Sequence, residues 1–459
     1  MAFFGRKEQL DSLSKLYAAS GVQIGLVYGR RRVGKSELIK QSLRLSDIKS
    51  IYYECKQTSQ AGNTESLSFL LAEAFEFPKP DFRGIEELLD FLFRKAAKEP
   101  LILVLDEYPY LRETVKGMDS ILQSLIDRYR ETSALKIILC GSFVEVMKSL
   151  LLSDNPLYGR IDRSVDLKPM DYYESALFYP DFSAEDKVRL YSVFGGIPYY
   201  NRLIDPKSSV RRNIIELIAS PGARLENEVA LYLTSEISKI NNANEVFKTL
   251  AAGFQKFSDL LAQSHVTSGP TLADVLEKLV SMEVVRKEAP INDENNRRKA
   301  GYFISDNLSL FYYRYIFRYS SQMQVLPSDV FFDRYIAEDF EARYVPRVFE
   351  TVCKQYLIRM NRSGKLPVPF DRIGKYYYDD PKTHTNGEFD IVTEDPEGYT
   401  FYEAKFRREP VSKAMIDAEI AQVKNAGFTC RRYGFFSRSG FSAPADEQTL
   451  LITLAELFR

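Results

Sequence analysis

The stretch that decides the fold is GRRRVGKS, residues 29–36. It follows an apolar run, QIGLVYG at 23–29, and precedes a helical pattern. Four of its residues have the spacing of a phosphate-binding loop: Gly29, Gly34, Lys35 and Ser36. In such a loop the glycines allow backbone N–H groups to turn toward phosphate oxygens, and the following helix adds its partial positive charge. Lys35 is then expected to bind the β- and γ-phosphates of ATP, and Ser36 to bind Mg²⁺.

An apolar run that ends in two acids, LILVLDE at 101–107, is the usual partner of such a loop. Asp106 is expected to hold the Mg²⁺ shell, and Glu107 to orient and deprotonate the attacking water. Two further apolar runs of strand length, SIYYEC at 50–55 and LKIILCG at 135–141, are separated from the others by helical stretches. This alternation is typical of a parallel sheet covered on both faces, so the first part of the chain is predicted to be an α/β P-loop domain.

The amino-acid composition limits the kinds of partner, metal site and catalytic group that this chain can have. The 459 residues are 45% hydrophobic and 27% charged with a net charge of −1, which is ordinary for a folded protein of two to four domains. Since no global basic field is present, any nucleic-acid site must be a local patch. The four scattered cysteines argue against zinc and disulfides and favour the cytoplasm, and no apolar run approaches a membrane span. With only two histidines, catalysis is expected to rely on carboxylates, lysine, arginine and bound metal.

In the middle of the chain, the alternation of strands and helices gives way to a mostly helical pattern. Residues 170–230 read mostly as helices, and 240–305 read as short helices followed by a hairpin with a polar tip, which predicts a winged helix-turn-helix. In one interpretation, helix 271–283 enters a DNA groove while the tip, Arg297, Arg298 and Lys299, contacts phosphate. In the other, the module is only a lid or a docking domain. The candidate recognition helix is acidic, which suits groove binding poorly, and both interpretations stay open.

Successive motifs resemble those of archaeal-type ATPases of the AAA+/STAND group. FFGRKEQLDSL resembles their opening box, LKIILCGSFVEVM their fourth-strand motif, NPLYGR an arginine-bearing segment and GGIPYY their lid motif. The resemblance covers roughly 1–320 and implies that Ser142 is the sensor-1 residue, and that Arg160 approaches the nucleotide in cis or from a neighbouring subunit. It also implies that Gly196 and Pro198 pack near the adenine. No sensor-2 arginine is evident on the lid, which argues against a conventional ring motor.

Near the other end of the chain, GEFDIVTEDPEGYTFYEAKF at 387–406 contains two strand-like runs around a turn. Glu403 and Lys405 share one strand face, since alternate residues do, and Asp390 on the preceding strand is expected to lie close to them. Two convergent carboxylates make an oxygen-rich Mg²⁺ site, in which Lys405 would position or polarise a water. Glu388 shares the face of Asp390 and is a candidate for a further ligand.

This stretch resembles the core of the PD-(D/E)xK nucleases, with GEFDIV, a turn and then YEAK. The resemblance implies a further glutamate on the helix before the sheet, and RVFETVCKQYL offers Glu350. This end of the chain is also similar to the nuclease-like domain of uncharacterised function that follows archaeal-type ATPases. The alternative is an ordinary hairpin whose charges face solvent, and many relatives of the nuclease fold have lost catalysis.

Together these patterns predict an α/β protein of four segments: a P-loop core at 1–168, a helical lid at 169–235, a winged helix at 236–320 and a restriction-endonuclease-like domain at 321–459. The expected function is a Mg²⁺-dependent ATPase whose nucleotide state controls a metal-dependent nuclease acting on DNA. One alternative is a STAND-type switch whose terminal domain binds nucleic acid or protein without cutting. Another is a housekeeping ATPase with a structural tail. ATP and DNA are the expected partners, no membrane is involved, and a homo-oligomer is left open.

Overall fold

The computed structural model describes residues 3–231, 242–296, 299–380, 385–426, 430, 432–446 and 448–459. The chain forms two compact units. The first comprises Met1–Pro169 and Ile197–Tyr199, and the second comprises Met170–Gly196 and Tyr200–Arg459. The predicted boundary at 168 is close to this division. The predicted boundary at 320 falls inside the second unit, and the one at 235 lies outside the described residues.

The first unit is built on a parallel sheet. Its strands are β1 (Gln23–Tyr28), β2 (Lys49–Glu54), β3 (Leu101–Asp106), β4 (Leu135–Gly141) and β5 (Arg163–Asp166). They are ordered β2-β3-β4-β1-β5, and every neighbouring pair is parallel. All residues of β3 and β4 are buried, which explains their continuous apolar sequence. The predicted α/β fold with a parallel sheet is confirmed, whereas β5 is too short and too polar to have been predicted.

Helices alternate with these strands. They are α1 (Lys7–Ala18), α2 (Lys35–Arg44), α3 (Gln60–Phe75), α4 (Ile85–Ala96), α5 (Tyr108–Thr114), α6 (Met118–Tyr129) and α7 (Val144–Ser149). Helix α2 begins directly after Gly34, whose φ of 97° is one that residues with a side chain rarely adopt. Helix α5 begins directly after Glu107, which also has a positive φ, 51°. Both turns bring polar side chains to the ends of strands β1 and β3.

The next part of the chain is helical, as predicted, and leads to a small hairpin. Its helices are α8 (Tyr172–Ala176), α9 (Ala184–Phe194), α10 (Pro198–Asn201), α11 (Val210–Leu217), α12 (Ala243–Ala252), α13 (Phe257–Gln263) and α14 (Gly269–Ser281). Strands β6 (Val285–Glu288) and β7 (Gly301–Ile304) pair antiparallel. The order of α12 to β7 is that predicted for a winged helix, and this assignment remains a prediction. Arg297 and Arg298 of its tip lie outside the described residues.

An aromatic helical segment follows. It comprises α15 (Asn307–Phe311), a π-helix (Tyr312–Phe317), α16 (Ser320–Val325), α17 (Ser328–Tyr335), α18 (Ala337–Asp339), a second π-helix (Phe340–Tyr344) and α19 (Val345–Arg362). The hydrophobic spacing of this segment predicts single helices at 306–319 and 340–360 and a looser stretch around Pro327, whereas the structure has two π-helices and the helices α16 and α17 on either side of Pro327. Hydrophobic spacing cannot distinguish a π-turn from an α-turn, because both place apolar residues on nearly the same face.

The second unit also contains a mixed sheet. Its strands are β8 (Arg372–Asp380), β9 (Thr385–Asp395), β10 (Gly398–Lys405), β11 (Arg432–Ser437) and β12 (Thr449–Thr453), ordered β12-β11-β10-β9-β8. The pairs β8–β9 and β9–β10 are antiparallel, whereas β10–β11 and β11–β12 are parallel. Helix α20 (Lys413–Asn425) connects β10 to β11, and a 3₁₀ helix (Leu454–Phe458) follows β12.

Contacts between distant parts of the sequence hold the second unit together. The hydroxyl of Tyr172 on α8 donates a 2.6 Å hydrogen bond to the carbonyl of Leu457, and the ring of Phe458 lies 5.3 Å from that of Tyr172. Arg189 on α9 forms a 2.8 Å ion pair with Glu341 in the second π-helix. These contacts join the predicted lid to the predicted nuclease-like segment, and the two therefore share one compact unit.

Candidate functional site

The P-loop surrounds the ammonium group of Lys35. Its Nζ donates hydrogen bonds to the carbonyls of Gly29, at 2.9 Å, and Arg30, at 3.1 Å. Gly29 has a φ of 153°, and a Cβ there would lie 2.3 Å from the carbonyl oxygen of Leu167, so only glycine fits. Burial lowers the pKa of Lys35 below its usual range. The loop thus holds its lysine in place by main-chain carbonyls.

Ser36 and Asp106 lie side by side at the start of α2 and the end of β3. The Ser36 hydroxyl donates a 2.8 Å hydrogen bond to Asp106 Oδ2, and the Glu107 N–H donates to Asp106 Oδ1 at 3.0 Å. A hydroxyl and a carboxylate are hard oxygen ligands of the kind that Mg²⁺ prefers. The residues present therefore fit the expected metal, beside a helix N-terminus that suits a phosphate.

Two further side chains contact Asp106 and were not predicted. The hydroxyl of Tyr52 on β2 donates a hydrogen bond to Asp106 Oδ2, and the thiol of Cys140 on β4 also bonds to this carboxylate. Burial acts to raise the pKa of Asp106, but the hydrogen bonds from Cys140, Tyr52 and Ser36 lower it on balance. Finding them required the strand order, because β2 and β4 flank β3 in the sheet but not in the sequence.

Glu107, the predicted base, is bound by Ser142. The Ser142 hydroxyl lies 2.8 and 3.0 Å from the two Glu107 carboxylate oxygens, and its backbone N–H donates to Oε2 at 3.2 Å. Ser142 follows β4 and Glu107 follows β3, and these strands are neighbours. The structure therefore brings the predicted sensor-1 residue to the predicted base.

Pro198 and Arg160 are the other two residues predicted to lie near the nucleotide, and their surroundings differ. Pro198 lies beside the P-loop, with its Cγ 3.7 Å from where a Cβ on Gly34 would be. Arg160 instead forms a two-point ion pair with Asp127 on α6, at 2.8 and 2.7 Å, and donates to the carbonyl of Pro156 at 3.2 Å. Its role at the nucleotide therefore stays a prediction that would require this ion pair to break.

In the mixed sheet, the predicted acids and lysine lie at one end of the β9–β10 ladder. Tyr402 pairs with Ile391, so the next residues on the two strands, Glu403 and Asp390, come together at its end. Lys405 Nζ lies 2.8 Å from Glu403 and 2.8 Å from Glu419 on α20. Glu419 was not predicted, because α20 follows the motif in sequence and approaches it only through the fold.

Glu350 on α19 joins this group. Burial and the negative charges of Asp390 and Glu403 raise its pKa to about 8, although the cations Lys375 and Arg347 oppose the shift. Burial also raises the pKa of Glu403, against the opposing charge of Lys405. The structure thus brings Glu350, Asp390 and Glu403 close enough to influence one another electrostatically.

Two unpredicted lysines neutralise the carboxylates on β9. Lys375 on β8 lies 2.7 Å from Asp390 and 3.4 Å from Glu388, and Lys256, before α13, lies 2.5 Å from Glu388. The stretch RIGKYYYDD contains three tyrosines and an isoleucine, which favour a strand and could have revealed β8, but not the partner of its lysine. The oxygen donors here fit Mg²⁺ in kind. Among the described residues, however, no group of three or more His, Cys, Asp or Glu side chains is arranged to hold a metal.

The comparisons with known proteins identify the first part of the chain. Residues 3–203 match a family described as an ATPase domain predominantly from Archaea. This segment is a P-loop ATPase domain. Residues 312–418 match a second family, described as archaeal and bacterial proteins of unknown function. The predicted ATPase domain is thereby confirmed, whereas the match that contains Glu350, Asp390, Glu403 and Lys405 assigns them no function.

Similar chains and solved structures come from archaea. An uncharacterised protein of Methanocaldococcus jannaschii is 26% identical over 394 residues, covering 85% of this chain and 84% of that protein. The Walker-type ATPase of Pyrococcus abyssi aligns with a TM-score of 0.51 at 19% identity, covering 68% of this chain and 96% of that one. The ORC2 protein of Aeropyrum pernix aligns with a TM-score of 0.43 at 13% identity, covering 76% and 95%. At such identities the Pyrococcus protein supports the fold alone.

Within the part of the chain that the structure describes, every helix is too short or too polar to span a bilayer.

Proposed function

We propose that the chain is a Mg²⁺-dependent ATPase whose nucleotide state controls a metal-dependent nuclease site formed by Glu350, Asp390, Glu403 and Lys405. The first half of this proposal rests on the P-loop ATPase domain, and the second on the arrangement of side chains around the β9–β10 ladder. The substrate proposed for the second site is the phosphodiester backbone of DNA.

In the ATPase domain, each side chain has a role that its contacts support. Lys35 would exchange its carbonyl partners for the phosphates of ATP, and Ser36 and Asp106 would hold Mg²⁺. Glu107 would accept the proton of the attacking water, and Ser142 keeps this carboxylate oriented through its hydrogen bonds. Bound Mg²⁺ would supply positive charge to the phosphoryl group during transfer.

At the second site, the observation that carries the proposal is the convergence of three acids and a lysine from separate elements. Asp390 and Glu403 would hold a divalent metal, which would supply charge to the phosphodiester and acidify a water. Lys405, 2.8 Å from Glu403, would orient that water. Glu350, whose pKa is raised to about 8, completes the acidic set from α19.

The test is conversion of supercoiled plasmid to nicked plasmid in Mg²⁺ or Mn²⁺, with and without ATP. We expect Lys405→Ala and Asp390→Ala to lower the nicking rate by about a hundredfold or more, the usual effect of removing a catalytic group. Lys413→Ala is the matched control, since Lys413 lies on the same part of the chain but pairs with two exposed acids, Asp417 and Asp446. Lys35→Ala should remove the dependence on ATP and leave the Mn²⁺ requirement. Intact plasmid under all conditions with the wild-type chain would reject the nuclease.

A second candidate function has a specific observation in its favour. Asp390 and Glu388 are already paired with lysines, and such pairs are typical of a carboxylate cluster that serves structure. In that case the chain would be a STAND-type switch, and its terminal domain would bind nucleic acid or protein without cutting. Slow, single-turnover ATP hydrolysis without nicking would support the switch, whereas fast turnover stimulated by DNA would contradict it.

A further inference from the structure

A cleft of about 510 Å³ lies in the second unit, lined by residues that the proposed function does not use. Its walls come from α12 and the turn after it, from both π-helices, and from the segments at 318–319 and 335–339. Its volume is in the range of sites that hold small organic ligands. π-helical turns are rare and often occur at functional sites, so two of them at one cleft suggest a binding role.

The lining of this cleft is positively charged. Among the described residues that line it, the basic ones are Lys248, Arg314, Arg318 and Arg343, whereas Asp339 is the acidic one. A concave surface with walls of one sign concentrates the field and attracts ions of the opposite sign. The cleft is therefore suited to an anion.

The floor of the cleft is held rigidly. Arg314 forms a two-point ion pair with Asp339, at 2.7 and 2.9 Å, and donates to the carbonyl of Ala251 at 3.0 Å. The hydroxyl of Tyr315 donates to the same aspartate at 2.6 Å. These bonds use three of the five N–H groups of Arg314 and fix the plane of its guanidinium. A floor that is ordered in advance loses little entropy when a ligand binds.

The cations at the rim of the cleft make fewer or longer contacts than Arg314 does. The exposed guanidinium of Arg318 lies 5.2 Å from the ring of Tyr319 and, across the described residues, makes no hydrogen bond or ion pair. The side chain of Arg343 is 77% exposed, and its contact with Asp339 is long, at 3.6 Å. These two arginines can turn toward a phosphate without breaking a strong interaction.

Flat aromatic rings line the same cleft as these cations. Phe254 is 40% exposed, which is unusual for a phenylalanine. The rings of Tyr319 and Tyr335 lie 4.7 Å apart, and both residues line the cleft. Exposed aromatic rings beside arginines bind nucleic-acid bases by stacking while the arginines bind phosphate.

We propose that this cleft binds a nucleotide, with its phosphate on Arg318 and Arg343 and its base against Phe254 and the paired tyrosines. The nucleotide is either free or one unit of a single strand, since both present the same phosphate and base. The site is separate from the P-loop and from the acidic site of Asp390 and Glu403.

The test measures binding to the full chain carrying Lys35→Ala, which disables the P-loop, in EDTA to prevent cleavage. The probes are a fluorescein-labelled oligo(dT) followed by anisotropy, and AMP followed by calorimetry. Phe254→Ala should weaken binding about tenfold, as expected for loss of one stacked base. Arg318→Ala should reduce the slope of log K against log salt for the oligonucleotide by about 0.7, the value for one phosphate contact.

Arg362→Ala, which changes an exposed arginine outside the cleft, is the matched control and should bind like the parent. Binding of the oligonucleotide alone, weakened by Phe254→Ala and Arg318→Ala, supports a site for a single strand. Binding of AMP alone with the same sensitivity supports a site for a free nucleotide. Absence of binding by both probes, or binding that neither substitution weakens, overturns the proposal.

Discussion

Asp106 in the ATPase domain and Asp390 in the second site are both expected to hold metal, but they have different partners. Asp106 accepts hydrogen bonds from the hydroxyls of Ser36 and Tyr52, which are neutral. Asp390 is paired with the ammonium of Lys375 at 2.7 Å. A metal that binds Asp106 displaces or shares hydrogen bonds, whereas one that binds Asp390 must compete with a positive charge. The ATP site is therefore closer to its metal-binding arrangement than the acidic site.

Glu350 gives a prediction about pH. Burial and the charge of Asp390 raise its pKa from an ordinary value of about 4.5 to about 8. Between these values the folded chain keeps a proton that the unfolded chain has lost, so the free energy of unfolding should fall as pH rises through this window. Glu350→Gln stays neutral and should remove this loss, which is at most about 1.4 kcal/mol per pH unit. Urea unfolding at pH 5, 6.5 and 8 measures it.

The control for Glu350→Gln is the same substitution at a glutamate that is not buried. Glu338→Gln changes an exposed residue on α18 and should leave the pH dependence of unfolding as in the wild type. If wild type and Glu350→Gln lose stability equally between pH 5 and 8, the buried, protonated state of Glu350 is wrong.

At the scale of elements, the acidic site is assembled from four pieces that are separate in the sequence. Helix α19 contributes Glu350, strand β8 contributes Lys375, the β9–β10 hairpin contributes the acids and Lys405, and helix α20 contributes Glu419. Strand β8 is an edge strand, and its lysine reaches the acids because β8 pairs with β9.

Strand β8 gives a prediction about metal affinity. Lys375→Met removes the cation beside Asp390 and leaves a chain of similar length, so Mn²⁺ should bind about tenfold more tightly, equivalent to about 1.4 kcal/mol. Without metal the variant should be less stable, because Asp390 loses its partner, and Mn²⁺ should restore stability. Isothermal titration and thermal unfolding measure the two effects.

The control is Lys365→Met, which changes an exposed lysine after α19. Equal Mn²⁺ affinity in the wild type and both variants would show that Lys375 does not compete with metal.

Site residues that lie close together in the sequence could be predicted from it. Partners that meet only through strand order or helix packing could not. The P-loop is contiguous, so Gly29 to Ser36 were found from spacing alone, and the acids of one hairpin were also within reach. Tyr52, Lys375 and Glu419 were missed because each meets its partner through strand order or helix docking. The π-helices were missed because one extra residue in a turn scarcely changes the hydrophobic pattern.

At the scale of the molecule, nucleotide binding should stabilise the ATPase domain. A ligand that binds only the folded state adds about 2.7 kcal/mol at a concentration of 100 times its Kd. Calorimetry with a non-hydrolysable ATP analogue and Mg²⁺ should therefore show one unfolding transition move upward in the wild type, since a chain of two units need not unfold in one step. Lys35→Ala should abolish the shift, while Lys15→Ala, which changes an exposed lysine on α1, should retain it. An equal shift in Lys35→Ala would show that the analogue binds elsewhere.

The hydrogen bond from Tyr172 to Leu457 joins residues that are 285 positions apart in the chain. A ribosome that adds 5 to 20 residues per second needs roughly 15 to 60 seconds to cover that distance. During this time helix α8 has emerged, but the residues that cover Tyr172 have not been made. The first unit meets no such delay, because almost all of it has been synthesised by residue 169. The second unit therefore completes its packing later during synthesis than the first, and the ring of Tyr172 lacks these contacts until Leu457 and Phe458 have been made.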